Sequence, residues 1–96
     1  MSEIYPKRAA NMAARVFRGE AIIMNPADST LFNLNETATA IWLAADGRTA
    51  LRSIVERDIL PAFHVDREDA LRDAGQFAED LARHAILTLR TEPEAE

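Results

Sequence analysis

Apolar residues in the first third of the chain fall in short runs that are separated by turn-forming residues. Residues 21–24 form a run rich in β-branched side chains, and residues 31–34 resume the extended pattern after a turn cluster at 25–29. Val16 and Phe17 make an earlier extended candidate, which the next two residues would turn. Three short strands joined by tight turns predict a small antiparallel meander.

Between residues 36 and 45, apolar residues recur at helical spacing and predict a first helix. Asn35 can accept a hydrogen bond from the free N–H groups of the first turn, and Glu36 suits the positive end of the helix dipole. Gly47 can adopt the left-handed conformation that ends a helix. One helix face is expected to be buried, made of Ala38, Ile41, Trp42 and Ala45.

Two further helices are predicted. The second follows Thr49, a suitable N-cap, and should end near Ile59 because the residue before Pro61 avoids the helical region. The third begins after Asp66, whose side chain can cap the helix, with Asp69 three residues further on. Its apolar stripe predicts one continuous buried or binding face, made of Ala70, Leu71, Ala74, Phe77, Ala78, Leu81, Ala82 and Ala85.

The predicted order is therefore β-β-β-α-α-α, an α+β domain with a winged helix-turn-helix-like arrangement. A meander with one apolar face needs a cover, and three helices can supply it. Residues 86–89 either pack back on the body or add a short strand. We expect a flexible N-terminal arm over residues 1–11, one folded domain over 12–90 and a disordered acidic tail over 91–96.

Composition restricts the chemistry that this chain can perform. It has 96 residues, 48% hydrophobic and 28% charged, as expected for one globular domain. It contains no cysteine, which excludes disulfides, thiolate catalysis and cysteine metal sites. We find neither a secretory signal nor an apolar run of membrane-spanning length, so a cytoplasmic protein without a membrane partner is expected.

Residues suited to catalysis or metal binding are sparse. His64 and His84 lie in different predicted elements, and no paired metal-ligand motif is present. Ser29 lies in a predicted turn and Ser53 on a predicted helix, and neither has the surroundings of a nucleophile elbow. The glycines form no phosphate-binding loop. We therefore expect no catalytic residue, no metal ion and no cofactor.

A DNA-binding winged helix is an alternative that the charges disfavour. The net charge is −5, and the predicted third helix with its cap would carry six acidic residues against three basic ones. A helix that enters a groove between phosphates needs the opposite balance. The acidic residues are Asp66, Glu68, Asp69, Asp73, Glu79 and Asp80, and the basic ones are Arg67, Arg72 and Arg83.

Peptide binding is the remaining activity that this architecture favours. If residues 30–34 form an edge strand, its unpaired N–H and C=O groups can accept another extended chain. The third helix would then form the far wall, and its small residues Gly75, Ala78 and Ala82 would let a backbone approach. The alternative is that the apolar stripe is simply core, with Phe77 and Leu81 as packing residues.

Three segments resemble one known family. Residues 34–42 read LNETATAIW and are followed by Asp46 and Gly47, which resembles the LNxTAxxIW…DG signature of the PqqD family. Residues 19–26, GEAIIMNP, resemble the GEAVLLNP hairpin of that family, and residues 73–81 resemble its DVxxFxxxL helix. The resemblance covers about residues 15–89. This family comprises peptide-binding modules named for a pyrroloquinoline quinone biosynthesis protein.

The resemblance implies a non-catalytic recognition element for ribosomally made, post-translationally modified peptides. Such modules bind the leader segment of a precursor peptide as an added strand and deliver it to a modifying enzyme, often a radical S-adenosylmethionine protein. Carried over by position, the implied peptide-binding residues are Thr30, Leu31, Phe32, Asn33 and Leu34 on the strand, with Asp73, Ala74 and Phe77 across from them.

Several alternatives stay open at this point. Asp73 either pairs with a basic leader residue or lies on the solvated helix face. The hairpin tip at residues 27–29 and the segment at 84–86 lack glycines that the family usually has, so the pathway is either pyrroloquinoline quinone synthesis or a related one. The chain could also be an adaptor that binds the modifying enzyme without peptide, or form a homodimer through its exposed strand edge.

Overall fold

The computed structural model describes residues 3–95. It contains one three-stranded antiparallel sheet, a separate two-stranded ribbon and three helical regions. The predicted α+β class, with a meander followed by three helices, is confirmed. The strands are β1 (Tyr5–Arg8), β2 (Ala13–Phe17), β3 (Glu20–Asn25), β4 (Thr30–Leu34) and β5 (Leu87–Arg90). The helices are α1 (Glu36–Ala44), α2 (Leu51–Ile54), which a π-helical segment (Val55–Ile59) continues, and α3 (Arg67–Arg83).

The three-stranded sheet has the order β2-β3-β4. β3 lies in the middle and pairs on both sides, so that Ile23 lies opposite Ala14 of β2 and opposite Phe32 of β4. Arg18 and Gly19 connect β2 to β3, and both have positive φ, 55° and 80°. Such a pair makes the tight turn whose twist matches that of a hairpin. β2 and β4 are the two edges of the sheet.

The N-terminal segment differs from its prediction. Residues 5–8 were expected within a flexible arm, but they form β1, which pairs antiparallel with β5. Pro6 is fully buried, and the Pro6 C=O accepts the Gly47 N–H at 2.8 Å. The Arg8 side chain donates to the Trp42 C=O at 3.2 Å. The flexible-arm prediction is therefore wrong for these four residues, whereas residues 1 and 2 lie outside the described part of the chain.

At the C-terminal end, residues 87–90 form a strand, which settles the alternative left open for residues 86–89. The following tail is attached at one point, because the Glu94 N–H donates to the Gly47 C=O at 2.7 Å and the Glu94 carboxylate pairs with the Lys7 ammonium. Gly47 has φ 79°, and a Cβ there would lie 2.9 Å from the Glu94 carboxylate. Residues 91–96 were predicted to be a disordered tail, and this prediction is wrong at Glu94, which is held by these two contacts. Residue 96 lies outside the described part of the chain.

Helix ends follow local hydrogen bonding. The Asn35 side chain accepts the Ala38 N–H at 2.8 Å, and the Asp66 side chain accepts the Asp69 N–H at 3.3 Å, so both predicted N-caps are confirmed. The N-cap of α2 is Ala50 instead of Thr49. Thr49 is unavailable because its N–H and hydroxyl both donate to the Asp46 carboxylate, at 2.9 and 3.1 Å.

The core lies between the inner face of the sheet and the helices. Its centre consists of aliphatic side chains from β3, α2, the π-helical segment and the approach to β5, namely Ile23, Ile54, Val55, Ile59 and Ile86. β2 extends beyond this cover, and all five of its residues are exposed. Within residues 3–95, no helix combines the length and apolarity needed to cross a membrane.

Candidate binding cleft beside the sheet edge

The outer side of β4 carries unpaired backbone groups. β4 pairs with β3 on one side, and no other strand of the described chain pairs with it on the other. Such an edge can accept an extended segment from another molecule. The edge strand predicted at residues 30–34 is therefore present with the same bounds, Thr30–Leu34.

A buried hydroxyl shows which residues of β4 face outward. The Ala21 N–H of β3 donates to Thr39 Oγ1 at 2.9 Å, and this hydroxyl donates to the Leu34 C=O at 3.2 Å. The backbone groups of Ala21 and Leu34 therefore point toward each other. Because successive residues of a strand direct their N–H and C=O to opposite sides, Leu31 and Asn33 direct theirs to the open side.

The start of β4 is held by a side-chain turn. Asp28 accepts the Thr30 N–H at 3.0 Å. Hydrogen bonds from the Thr30 side chain, and then from its backbone, lower the pKa of Asp28 below its ordinary 3.8. The carboxylate is thus ionised near neutral pH and fixes the entry of the edge strand.

A cleft opens next to the far end of β4. It lies between the start of α1, the connection from the π-helical segment to α3, and the N-terminal half of α3, and its volume is about 610 Å³. This volume is within the range of about 300–1,000 Å³ that is typical of ligand sites. Much of its lining is apolar, and includes Ala38, Ile41, Ile59, Val65, Ala70, Ala74 and Phe77.

Three predicted site residues meet in this cleft, since Asp73, Ala74 and Phe77 of α3 all line it. The five predicted strand residues do not line it themselves; the chain reaches the cleft at Asn35, directly after β4. On the strand, Leu34 is buried and Phe32 half-buried, whereas Thr30, Leu31 and Asn33 are exposed. The strand and helix residues therefore do not share one pocket, and the cleft begins where β4 ends.

β4 contacts His84, the residue that follows α3 as its C-cap. The rings of Phe32 and His84 have centroids 4.9 Å apart and are inclined by 52°. This ring contact lies beside Phe32, whereas the cleft is reached at Asn35, directly after the strand ends. His84 was not among the predicted site residues, because its place beside β4 depends on how α3 packs.

The small residues of α3 that were predicted to let a peptide backbone approach differ in their burial. Ala78 is fully buried in the core, and Ala82 is half-buried. A Cβ added at Gly75 would meet no atom within 4 Å, so the packing described here does not require glycine at this position. Leu81 is core, as the alternative interpretation held, whereas Phe77 is half-buried and lines the cleft.

The sequence analysis did not identify the cleft residues that come from the π-helical segment and from its connection to α3. Ile59, His64 and Val65 come from the end of the π-helical segment and the connection to α3. The local pattern contained no signal for them beyond the break at Pro61, because their position depends on how α1 and α3 pack against that connection. Among residues 3–95, no group of three or more histidine or acidic side chains is placed to hold a metal ion.

Comparison with solved structures finds the same fold. A structure described as "TbiB1 in Complex with the TbiA(beta) Leader Peptide" matches with a TM-score of 0.73 and 23% sequence identity. The match covers 94% of this chain and 99% of the other. No curated protein matches this sequence.

A family model gives the relationship by sequence. The family described as "Coenzyme PQQ synthesis protein D (PqqD)" matches residues 20–87, a span that runs from the first residue of β3 to the first residue of β5 and includes the cleft. This match confirms the resemblance noted in the hairpin, in α1 and in α3. The chain belongs to the PqqD family.

Proposed function

We propose that this protein is a non-catalytic recognition module that binds the leader segment of a ribosomally synthesised precursor peptide. The leader adds as a strand along β4, and the module presents the precursor to a modifying enzyme. The observation that carries the proposal is the unpaired edge of β4 next to an apolar cleft. Family membership and a fold shared with a protein solved in complex with a leader peptide support it.

The energetics require both the strand edge and the cleft. Leu31 and Asn33 together offer two donors and two acceptors to a guest chain. Each hydrogen bond contributes about 0.5–1.5 kcal/mol net. A submicromolar complex needs more than about 8 kcal/mol after association costs of at least about 4 kcal/mol. Since each buried apolar side chain adds about 1.5–3 kcal/mol, the guest must also place two or more such side chains on the protein.

In this arrangement the residues have distinct roles. Thr30, Leu31, Phe32, Asn33 and Leu34 form the edge strand. Leu31 and Asn33 offer their outward backbone groups to the guest, whereas Leu34 holds the strand in place, because its side chain is buried and its C=O accepts the Thr39 hydroxyl on the β3 side. Asp73, Ala74 and Phe77 form the helix wall. The module is cytoplasmic and needs no cofactor of its own. Its enzyme partner is of the radical S-adenosylmethionine type, in pyrroloquinoline quinone synthesis or a related pathway.

Titration calorimetry tests the proposal. The probes are synthetic peptides that correspond to the N-terminal segments of short open reading frames next to this gene. We expect submicromolar binding to the wild-type protein and at least tenfold weaker binding to Phe32→Asp, which puts a charge on the half-buried inner side of β4. Leu89→Asp, at a half-buried position of β5, is the matched control for destabilisation and should bind as the wild type does. Absence of binding, or equal loss in both variants, would contradict the proposal.

The adaptor alternative is favoured by a second apolar surface. On the side of the sheet away from the core, Phe17 is 71% exposed, Ile22 48% and Leu31 61%. An adaptor would capture the modifying enzyme through this surface in the absence of precursor, and Phe17→Ser together with Ile22→Ser would abolish that capture. A precursor peptide that binds tightly and is required for capture favours the recognition module instead.

A further inference from the structure

We propose that the cleft selects peptide segments in which a bulky apolar side chain is flanked by a lysine or an arginine. This inference rests on the proposed function and adds the chemistry of the guest. The apolar side chain enters between α1 and α3, and the cationic side chain is held on the α3 rim at Asp73.

The apolar half of the selection follows from the shape of the cleft. Ile41, Ile59 and Phe77 give it apolar walls, while Ala38 and Ala74 are too small to fill the space between them. A branched or aromatic side chain of the guest can occupy that space, and its burial removes apolar surface from water on both partners. A short polar side chain would leave the walls unfilled.

The cationic half follows from the charges at the rim. Three carboxylates line the cleft, those of Asp66, Asp69 and Asp73, and among residues 3–95 no lysine or arginine lines it. Charges of one sign beside an apolar wall create a field that favours a ligand of the opposite sign. Among peptide side chains, lysine and arginine carry that charge at neutral pH.

The three carboxylates differ in their availability. Asp66 accepts the Asp69 N–H as the cap of α3, and Asp69 pairs with Arg72 at 2.7 Å. Asp73 lies 3.9 Å from Arg72, and its side chain is 75% exposed. Asp73 is therefore the carboxylate most free to bind an incoming cation, and it is one helical turn from Phe77 on the same side of α3.

Selection from a displayed library of random ten-residue peptides tests this pairing without knowledge of the natural precursor. The wild-type protein should enrich peptides with a lysine or arginine within two residues of a large apolar residue. Asp73→Lys should lose that basic preference and enrich acidic residues at the same place. Glu79→Lys, an equal charge change on α3 outside the cleft, should select as the wild type does.

Affinity then gives the size of the effect. For an enriched peptide, Asp73→Asn should bind roughly two- to fivefold more weakly in fluorescence anisotropy, and the difference should shrink at 1 M salt. Enriched peptides without a basic preference, bound equally by wild type and Asp73→Lys, would overturn this inference and leave the recognition module standing. If no variant enriches any peptide, peptide binding itself is contradicted.

Discussion

The two edges of the three-stranded sheet have equal length and opposite character. β2 and β4 each have five residues and each pairs with β3 on one side only. β4 contains no charged residue and leads into the cleft at Asn35, whereas β2 is exposed throughout and has Arg15 at its centre. A charged residue on an edge strand discourages pairing with another chain. The comparison indicates that one edge is open to a guest and the other is guarded.

The position of Arg15 at the centre of β2 disfavours pairing of this edge with a second copy of the chain. The turn at Arg18 and Gly19 pairs Phe17 with Glu20, so Phe17 and Arg15 direct their backbone groups toward β3, and Ala14 and Val16 direct theirs outward. Two β2 strands pairing antiparallel about their centres would place Arg15 opposite its own copy. Like charges directly opposite in a ladder are destabilising.

Proline substitution gives the largest expected difference between the edges. Asn33→Pro removes an outward N–H from β4 without removing a hydrogen bond to β3. Edge strands tolerate proline at positions whose N–H faces away from the sheet. We expect peptide binding to weaken at least about thirtyfold, roughly 2 kcal/mol, because a guest carbonyl is left unpaired and the ring obstructs it. Ala14→Pro makes the same change on β2 and should leave affinity unchanged. If calorimetry shows an equal loss of affinity in both variants, β4 is not the edge that binds the peptide.

Removal of the Thr39 hydroxyl should weaken the attachment of β4 to β3, because this hydroxyl bonds to both strands, whereas it has no hydrogen bond to β2 among residues 3–95. Thr39→Val removes the buried hydroxyl to which the Ala21 N–H donates and from which the Leu34 C=O accepts. We expect the free energy of unfolding in urea to fall by about 1–2 kcal/mol. Thr88→Val, at an exposed position of β5, is the control and should change it by less than about 0.5 kcal/mol. A Thr39→Val protein as stable as the wild type would show that the hydroxyl is not needed.

Removal of the β2 charge has the smallest expected effect. Arg15→Val replaces the central charge with a good strand former, so that β2 can pair with a second copy. Analytical ultracentrifugation should show weak self-association that is absent in the charge-preserving variant Arg15→Lys. If both variants have the mass distribution of the wild type, Arg15 does not guard the edge.

Locally determined features of the fold could be predicted from the sequence. The meander and the caps at Asn35 and Asp66 each depend on residues close in the chain. The helical segment does end at Ile59, but Leu60 keeps helical angles (φ −61°, ψ −40°), so the expected effect of Pro61 on the residue before it is wrong. β1 could not be predicted in this way. Its four residues, YPKR, have no strand-like alternation, and they are ordered by backbone bonds to residues about 40 and 80 positions away.

The candidate site divides in the same manner. Thr30–Leu34 could be located as an edge because the turn before it and the helix after it are local signals. Asp73, Ala74 and Phe77 came from the family resemblance. His64, Val65 and Ile59 could not be foreseen, because a cleft formed by three separate segments depends on packing between elements rather than on a pattern within one.

Backbone hydrogen exchange, measured by NMR with and without a bound leader peptide, shows which edge of the sheet receives the guest. In the free protein the outward amides of Leu31, Asn33, Ala14 and Val16 should all exchange rapidly. With peptide bound, we expect the amides of Leu31 and Asn33 to become protected by at least about tenfold while those of Ala14 and Val16 do not change. Protection at Ala14 and Val16 instead, or at neither pair, would contradict the assignment of β4 as the edge that receives the guest.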